Sequence, residues 1–261
     1  ISMSLFRPNI DAMTAYVPGE QPGADADVVK LNTNENPYPP SPRAAEAARA
    51  FDYGRLRLYP EPVSRALCEA AGAAAGVPPE WILPGNGSDD VIAMLARAVA
   101  GPGRTIAYPV PTFTFYETQA RVEDAAIAAV PYEGEGFALP VDALAAAGAA
   151  LTFVASPNSP TGIAAAPDVL DALAGRLSGV LAIDEAYVDF ADGSAVELAR
   201  RHDNVLLLRT LSKGYSLAGL RVGFAVGNPA LLAGLAKTKQ IYNLDALAAA
   251  AATAALRDSA H

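Results

Sequence analysis

Val205-Leu206-Leu207-Leu208-Arg209-Thr210-Leu211-Ser212-Lys213-Gly214-Tyr215-Ser216-Leu217-Ala218-Gly219-Leu220-Arg221-Val222-Gly223-Phe224-Ala225-Val226 sets a polar, glycine-bearing turn between two apolar runs. Apolar runs this short, bounded by turn residues, read as strands buried on both faces rather than as helices. Runs of the same kind recur upstream at Trp81 to Leu83, Thr105 to Tyr108, Ala126 to Val130, Leu151 to Ala155 and Val180 to Ile183. Helical stretches alternate with them, including Ser64 to Ala75, Ser88 to Ala100 and Pro167 to Leu173. Ser88, Asp89 and Asp90 are expected to act as cap and first-turn acids, and Pro167 to open its helix. The alternation predicts an α/β fold: a mostly parallel seven-stranded sheet with helices on both faces. Residues 1–42, rich in proline (Pro8, Pro18, Pro22, Pro37, Pro39, Pro40, Pro42), are expected to form an extended arm, with residues 43–261 as the folded domain.

Composition narrows the function. The 261 residues are 52% hydrophobic with a formal net charge of −9, which fits a globular protein with a sizeable core and excludes a disordered chain. An acidic balance repels a phosphate backbone, so no nucleic-acid partner is expected. No run of about 18 apolar residues lacks charge or Pro/Gly breaks, and the opening residues lack a charged-then-apolar leader, so no membrane partner is expected and a cytoplasmic location is. The alanine-rich Ala246 to Leu256 reads as a packed helix. Cys68, the only cysteine, cannot form an intrachain disulfide and is expected to be a small buried hydrophobe.

In a mostly parallel sheet, ligands bind at the carboxyl edge of the strands, so the residues after each run carry the chemistry. Pro84-Gly85-Asn86-Gly87-Ser88-Asp89 is a glycine-rich turn entering a helix, whose free N–H groups favour a phosphate, although it also serves as a plain capped turn. Asp90 occupies the third glycine position of a dinucleotide fingerprint and weakens that reading. Only four lysines occur (Lys30, Lys213, Lys237, Lys239), and Lys213 is the one placed between two predicted strands. A lysine there, with Thr210 and Ser212 beside it and Arg221 downstream, suits an aldehyde cofactor that bears a phosphate. Val180 to Tyr187 delivers Asp184 to the same edge, where a carboxylate could pair with a protonated pyridine nitrogen, and Tyr187 could donate to a phenolate oxygen. Ser156-Pro157-Asn158-Ser159-Pro160-Thr161-Gly162 brings the Asn158 amide to a strand-to-turn junction, where it also makes an ordinary turn.

These segments, together with Leu31 to Pro37 and Tyr59-Pro60, resemble the fold type I, pyridoxal-5′-phosphate (PLP)-dependent class I/II aminotransferases, and within them the histidinol-phosphate aminotransferase branch. The resemblance runs over nearly the whole chain, and its Thr-Leu-Ser-Lys and Gly-Leu-Arg segments are specific. It implies a three-layer large domain and PLP as cofactor, with no metal. By the same resemblance Lys213 links to PLP through an imine and shuttles protons, Asp184 sits on the pyridine nitrogen, and Tyr187 with Asn158 or Ser159 lies near the phenolate oxygen. Arg221, Ser212, Thr210 and the backbone of Ser88 and Asp89 would hold the phosphate, and Phe113 would stack on the ring. Tyr59 would reach the phosphate in a partner subunit, which implies a homodimer.

The implied reaction converts L-histidinol phosphate and 2-oxoglutarate to imidazole-acetol phosphate and L-glutamate, a step of histidine biosynthesis. The sequence departs from the family at Ser159, where asparagine is usual before the proline, and at Phe113, where tyrosine is usual. Family members also carry a C-terminal small domain of roughly a hundred residues, with an arginine that grips the substrate carboxylate. Only Arg257 follows Arg221 here, so that domain is expected to be missing or truncated. Rival readings are an aromatic amino-acid aminotransferase or O-phospho-amino-acid decarboxylase of the same fold, a catalytically silent PLP-binding relative, and a dinucleotide-binding oxidoreductase.

Overall fold

The computed structural model describes residues 4–15, 17, 19–23 and 27–261, so parts of the expected arm lie outside the described residues. Seven strands form one sheet: β1 Ile82–Gly85, β2 Thr105–Val110, β3 Ala126–Pro131, β4 Leu151–Ala155, β5 Val180–Asp184, β6 Val205–Thr210 and β7 Gly223–Gly227. Their order is β1-β7-β6-β5-β4-β2-β3. Around them run α1 Pro8–Asp11, α2 Pro42–Arg49, α3 Arg65–Ala75, α4 Ser88–Val99, α5 Phe115–Val122, α6 Val141–Ala146, α7 Pro167–Ala174, α8 Val196–Arg201, α9 Pro229–Leu235 and α10 Ala246–Leu256.

Apart from the edge strand β3, which is largely exposed, the strands are short and apolar because both faces of the sheet are covered. Along β6, Val205 and Leu207 pack with α3, α7, α8 and α10, whereas Leu206 and Leu208 pack with α4, α5 and α9. All four are fully buried, so the two-residue alternation of the pleat separates two apolar faces rather than an apolar and a polar one. The alanine-rich α10 lies against α2 and α3 in one helical layer, and Asp245 caps it by accepting from Ala248 N. Cys68 is buried in that layer, and burial pushes its thiol up to about 11. Among the described residues no helix is long and apolar enough to cross a membrane.

β7 runs antiparallel to both its neighbours, β1 and β6, while the other pairings are parallel. The cause is local. A parallel return requires a crossover, usually a helix, but the β6–β7 connection contains only the 3₁₀ turn Ala218–Leu220 and doubles back. Pairing of Thr210 with Gly223, extended by Leu211 N donating to Val222 O (3.0 Å), closes that connection at its base. Lys213 and Arg221 both sit in the loop so formed.

The arm is not wholly extended. Pro8, at the first helical position, starts α1. The flanking Arg7 and the helical Asn9 donate to the carbonyls of Val122 (2.8 Å) and Arg121 (2.8 Å), two of the last carbonyls of α5. Helix-end carbonyls lack the usual intrahelical partner; the arm supplies one to Val122 O and adds a second to Arg121 O, which also accepts from Asp124 N (3.2 Å).

Candidate active site

The carboxyl ends of the strands converge on one cavity. Ser88 and Asp89 enter from the β1–α4 turn, Phe113 from the β2–α5 turn and Tyr116 from α5. Ala155 ends β4 and Pro157 and Ser159 follow it, Asp184, Ala186 and Tyr187 come from the end of β5, Thr210 ends β6, and Ser212, Lys213 and Arg221 lie in the β6–β7 loop. Ten of the residues singled out from sequence therefore line a single space: Ser88, Asp89, Phe113, Ser159, Asp184, Tyr187, Thr210, Ser212, Lys213 and Arg221.

One side of the cavity is built for an anion. α4 is a twelve-residue helix whose N-cap is Gly87 and not, as expected, Ser88; no side chain caps its first N–H groups, which remain free to meet a ligand. Gly87 has φ +83°, and a Cβ there would lie 2.9 Å from Nη2 of Arg221, so the glycine leaves room for the guanidinium. Arg221 itself adopts a left-handed backbone (φ +52°), an uncommon conformation for a non-glycine residue. It pairs with Asp89 (3.1 Å), and Nη1 donates to Ser212 Oγ (3.4 Å), which in turn accepts from Thr210 Oγ1 (3.0 Å). Guanidinium, hydroxyls and helix N-terminus together fit a phosphate.

The same cavity holds a buried acid. Asp184 is 5% exposed; its Oδ1 accepts from Ala186 N (3.0 Å) and its Oδ2 from Tyr116 Oη (2.7 Å). Burial pushes its carboxyl up to about 6, with Asp89 and Glu185 adding to the effect, while the Tyr116 and Ala186 hydrogen bonds oppose it. Below it, Glu185 is held by Arg209 (2.9 Å), Ser194 Oγ and Ala195 N, which pins the turn that carries Tyr187.

Lys213 lines the cavity as well. Its Nζ donates to the carbonyls of Thr33 (2.9 Å) and Asn34 (3.2 Å), and lies 5.6 Å from the centroid of the Tyr187 ring. Asn34 Nδ2 also donates to Tyr187 Oη (2.8 Å), and Asn36 Nδ2 donates to the carbonyl of Lys213 (3.0 Å). Residues 33–36 of the arm thus lie over the lysine, a contact that sequence reading did not identify. An amine, a buried carboxylate and an anion cradle around one cavity suit a flat, phosphate-bearing aldehyde with a basic ring nitrogen.

Two expected residues are not among the cavity-lining ones. Asn158 is 3% exposed; both its amide hydrogens are committed, to Pro111 O (3.1 Å) and Thr161 Oγ1 (3.0 Å), and its Oδ1 accepts from Thr112 Oγ1 (2.7 Å). Ser159 faces the cavity instead. Tyr59, 80% exposed, stacks on Tyr242 (4.5 Å between ring centroids, 13° between planes) in a separate groove. Tyr116, fully buried and bonded to Asp184, was not anticipated; its one sequence signal is its place three residues after Phe113.

Known proteins resemble this chain over nearly its whole length. The chain is 53% identical over 256 residues to histidinol-phosphate aminotransferase 1 of Trichormus variabilis, covering 98% of this chain and 73% of that protein. It is 48% identical over 272 residues to the histidinol-phosphate aminotransferase of Geobacter sulfurreducens, with the same coverages. Among solved structures, the histidinol-phosphate aminotransferase of Sinorhizobium meliloti in complex with pyridoxal-5′-phosphate superposes with a TM-score of 0.88 at 25% identity, over 99% of this chain and 73% of that one. The model of the family described as "Aminotransferase class I and II" matches residues 26–261, from the arm through every strand that feeds the cavity, and the chain belongs to that family.

Proposed function

We propose that this protein is a PLP-dependent aminotransferase that converts L-histidinol phosphate and 2-oxoglutarate to imidazole-acetol phosphate and L-glutamate. The observation that carries the reading is the placement of Lys213, Asp184 and the Arg221 cradle around one cavity, in a chain about half identical to enzymes named for that reaction. When bound, PLP supplies an electron-withdrawing ring that accepts the charge left as the substrate loses its α-proton.

The chain's own residues do the rest. Lys213 Nζ would hold the cofactor at its aldehyde carbon and, as a free amine, would be the base that takes up and returns the proton. Asp184, ionised above about pH 6, would pair with the ring nitrogen and keep a positive charge there. Arg221, Ser212, Thr210 and the N–H groups of Ser88 and Asp89 hold the phosphate, which fixes the ring relative to Lys213. Phe113 covers one face of the ring. Tyr187 and Ser159 serve the phenolate oxygen, Ser159 in the place first considered for Asn158, whose amide is already committed.

The described part of residues 1–42 acts as an arm over the PLP-binding domain, residues 43–261. Two copies associate through the exposed surface around Leu56, Leu58, Tyr59 and Tyr242, and Tyr59 then reaches the partner's phosphate. A cytoplasmic location suits the single reduced thiol.

The test is a visible spectrum of the protein with PLP, before and after borohydride, repeated with Lys213→Ala. A band lost on reduction, with the label found by mass spectrometry on Lys213 and absent from the variant, supports the reading. A well-folded protein that forms no band refutes it. Glutamate formed from histidinol phosphate and 2-oxoglutarate, with no release of CO2, separates transamination from decarboxylation.

A further inference from the structure

Tyr116 heads the large side chains buried without any exposure, yet it borders the cavity. Three contacts fix it. Its ring stacks on Phe153 of β4 (4.4 Å, 4° between planes), which ties it to the sheet. Its ring also meets Phe113 edge to face (5.6 Å, 89°), a favourable arrangement for aromatic quadrupoles. Its hydroxyl donates to Asp184 Oδ2 at 2.7 Å, within the range of a hydrogen bond to a charged acceptor. With Ala186 N on the other oxygen, each carboxylate oxygen has one fixed donor, so the carboxylate cannot rotate without breaking a bond.

The electrostatics require such a donor. Asp184 lies where burial favours its neutral form, and Asp89 and Glu185 add like charge. Tyr116 can serve only as a donor towards it, because burial first and the Asp184 charge second hold the phenol well above its ordinary range. The phenol therefore offers its proton to Asp184 throughout the working pH range.

We propose that Tyr116 is a positioning residue for amino-group transfer: its hydroxyl holds the Asp184 carboxylate towards the PLP ring nitrogen while its ring holds Phe113 against the ring face. One side chain thus aligns the electrostatic partner and the stacking partner of the same ring. This inference rests on PLP being the cofactor.

The test uses pyridoxamine 5′-phosphate, which has the ring, its nitrogen and the phosphate but no aldehyde, so Lys213 forms no bond to it. Its ultraviolet band reports whether the ring nitrogen is protonated. With Tyr116→Phe at pH 7, Asp184 is expected to compete for the ring's proton, and the ratio of protonated to neutral ring to fall about tenfold, the equivalent of losing one hydrogen bond to a charged group. Affinity for pyridoxamine 5′-phosphate falls alongside, whereas affinity for inorganic phosphate, which touches only the cradle, stays unchanged. In an Asp184→Asn background, Y116F adds nothing further.

An unchanged ring-proton ratio in Y116F overturns the proposal, as does equal weakening of pyridoxamine 5′-phosphate and inorganic phosphate, which would mean general loosening. If Y116F does not fold, Y116F/D184N decides. Recovery of the fold once the buried charge is removed supports the proposal, and continued failure overturns it, because packing alone would then be the role of Tyr116. A wild-type chain that takes up no pyridoxamine 5′-phosphate overturns the PLP reading itself, and the inference with it.

Discussion

Gly223→Ala places one methyl group where three backbones meet. Gly223 pairs with Gly85 of β1 and Thr210 of β6. An added Cβ would lie 2.4 Å from Ser88 N, 2.7 Å from Arg209 O and 2.7 Å from the carbonyl carbon of Gly87, where real contacts start at 3.0 Å. Ser88 N must retreat by more than half an ångström, and the paired strands leave no flexible side chain to absorb the shift. Overpacking of this kind costs about 1–3 kcal/mol. Because Ser88 N is a proposed phosphate donor, affinity for PLP is expected to fall about tenfold, since misplacement of even an ångström can cost a hundredfold. Gly227→Ala, in the same strand, is the control: its Cβ would meet the movable end of Leu206 at 3.3 Å, and its effect should stay within about 0.5 kcal/mol. Urea unfolding and a PLP titration measure both quantities. A Gly223→Ala protein that matches Gly227→Ala in midpoint and in affinity refutes the claim that the close approach of β7 to the β1–α4 turn sets the phosphate site.

Other predictions follow from buried polar groups. Arg209→Met leaves the Glu185 carboxylate, 2% exposed, without its cation. That should cost about 3 kcal/mol and lower the thermal midpoint by roughly 10 °C, with most of the loss restored in Arg209→Met/Glu185→Gln; no recovery in the double variant would sink the ion-pair account. The Asp184 carboxyl, raised to about 6 from an ordinary 3.8, contributes stability that is complete below that ordinary value and is lost as pH rises through about 6. Wild-type stability relative to Asp184→Asn should therefore decline between about pH 4 and pH 7 and level off beyond, and urea midpoints that show the opposite slope contradict the burial. Asn158→Ala strands Thr112 and Pro111 O and should cost about 2 kcal/mol of stability, whereas Ser159→Ala should leave the unfolding midpoint in place and weaken PLP binding. A reversal of those two outcomes would return Asn158 to the cavity.

The sheet was legible because every strand except the exposed edge strand β3 is largely buried and so appears as an apolar run; β4 and β5 run as Leu151–Ala155 and Val180–Asp184, close to their predicted spans. The residues that line the cavity were legible for a related reason: Asp184 ends such a run, and Lys213 and Arg221 are polar groups in the turn between two of them. The direction of β7 was not, since a strand's apolar pattern is identical in either orientation and only the missing crossover helix distinguishes them. The contacts of Asn158 were not legible, because an asparagine in a turn bonds equally well inwards or outwards, and the choice lies with Thr112 and Thr161 beside it. Tyr116 was hidden for a similar reason: an aromatic residue on the apolar face of a helix looks like core, and only the arrival of β5 gives its hydroxyl a partner.

The reversed strand also has a mechanical consequence. Lys213 and Arg221 occupy one loop clamped shut at its base by the Thr210–Gly223 pair, so the distance between them is set during folding and not when a ligand arrives. A molecule that grips both therefore loses none of its binding energy to gathering slack chain. The two grips also share one fate: an opening of the β6–β7 hairpin frees both at once, so amide exchange along β7 and cofactor release should keep the same time.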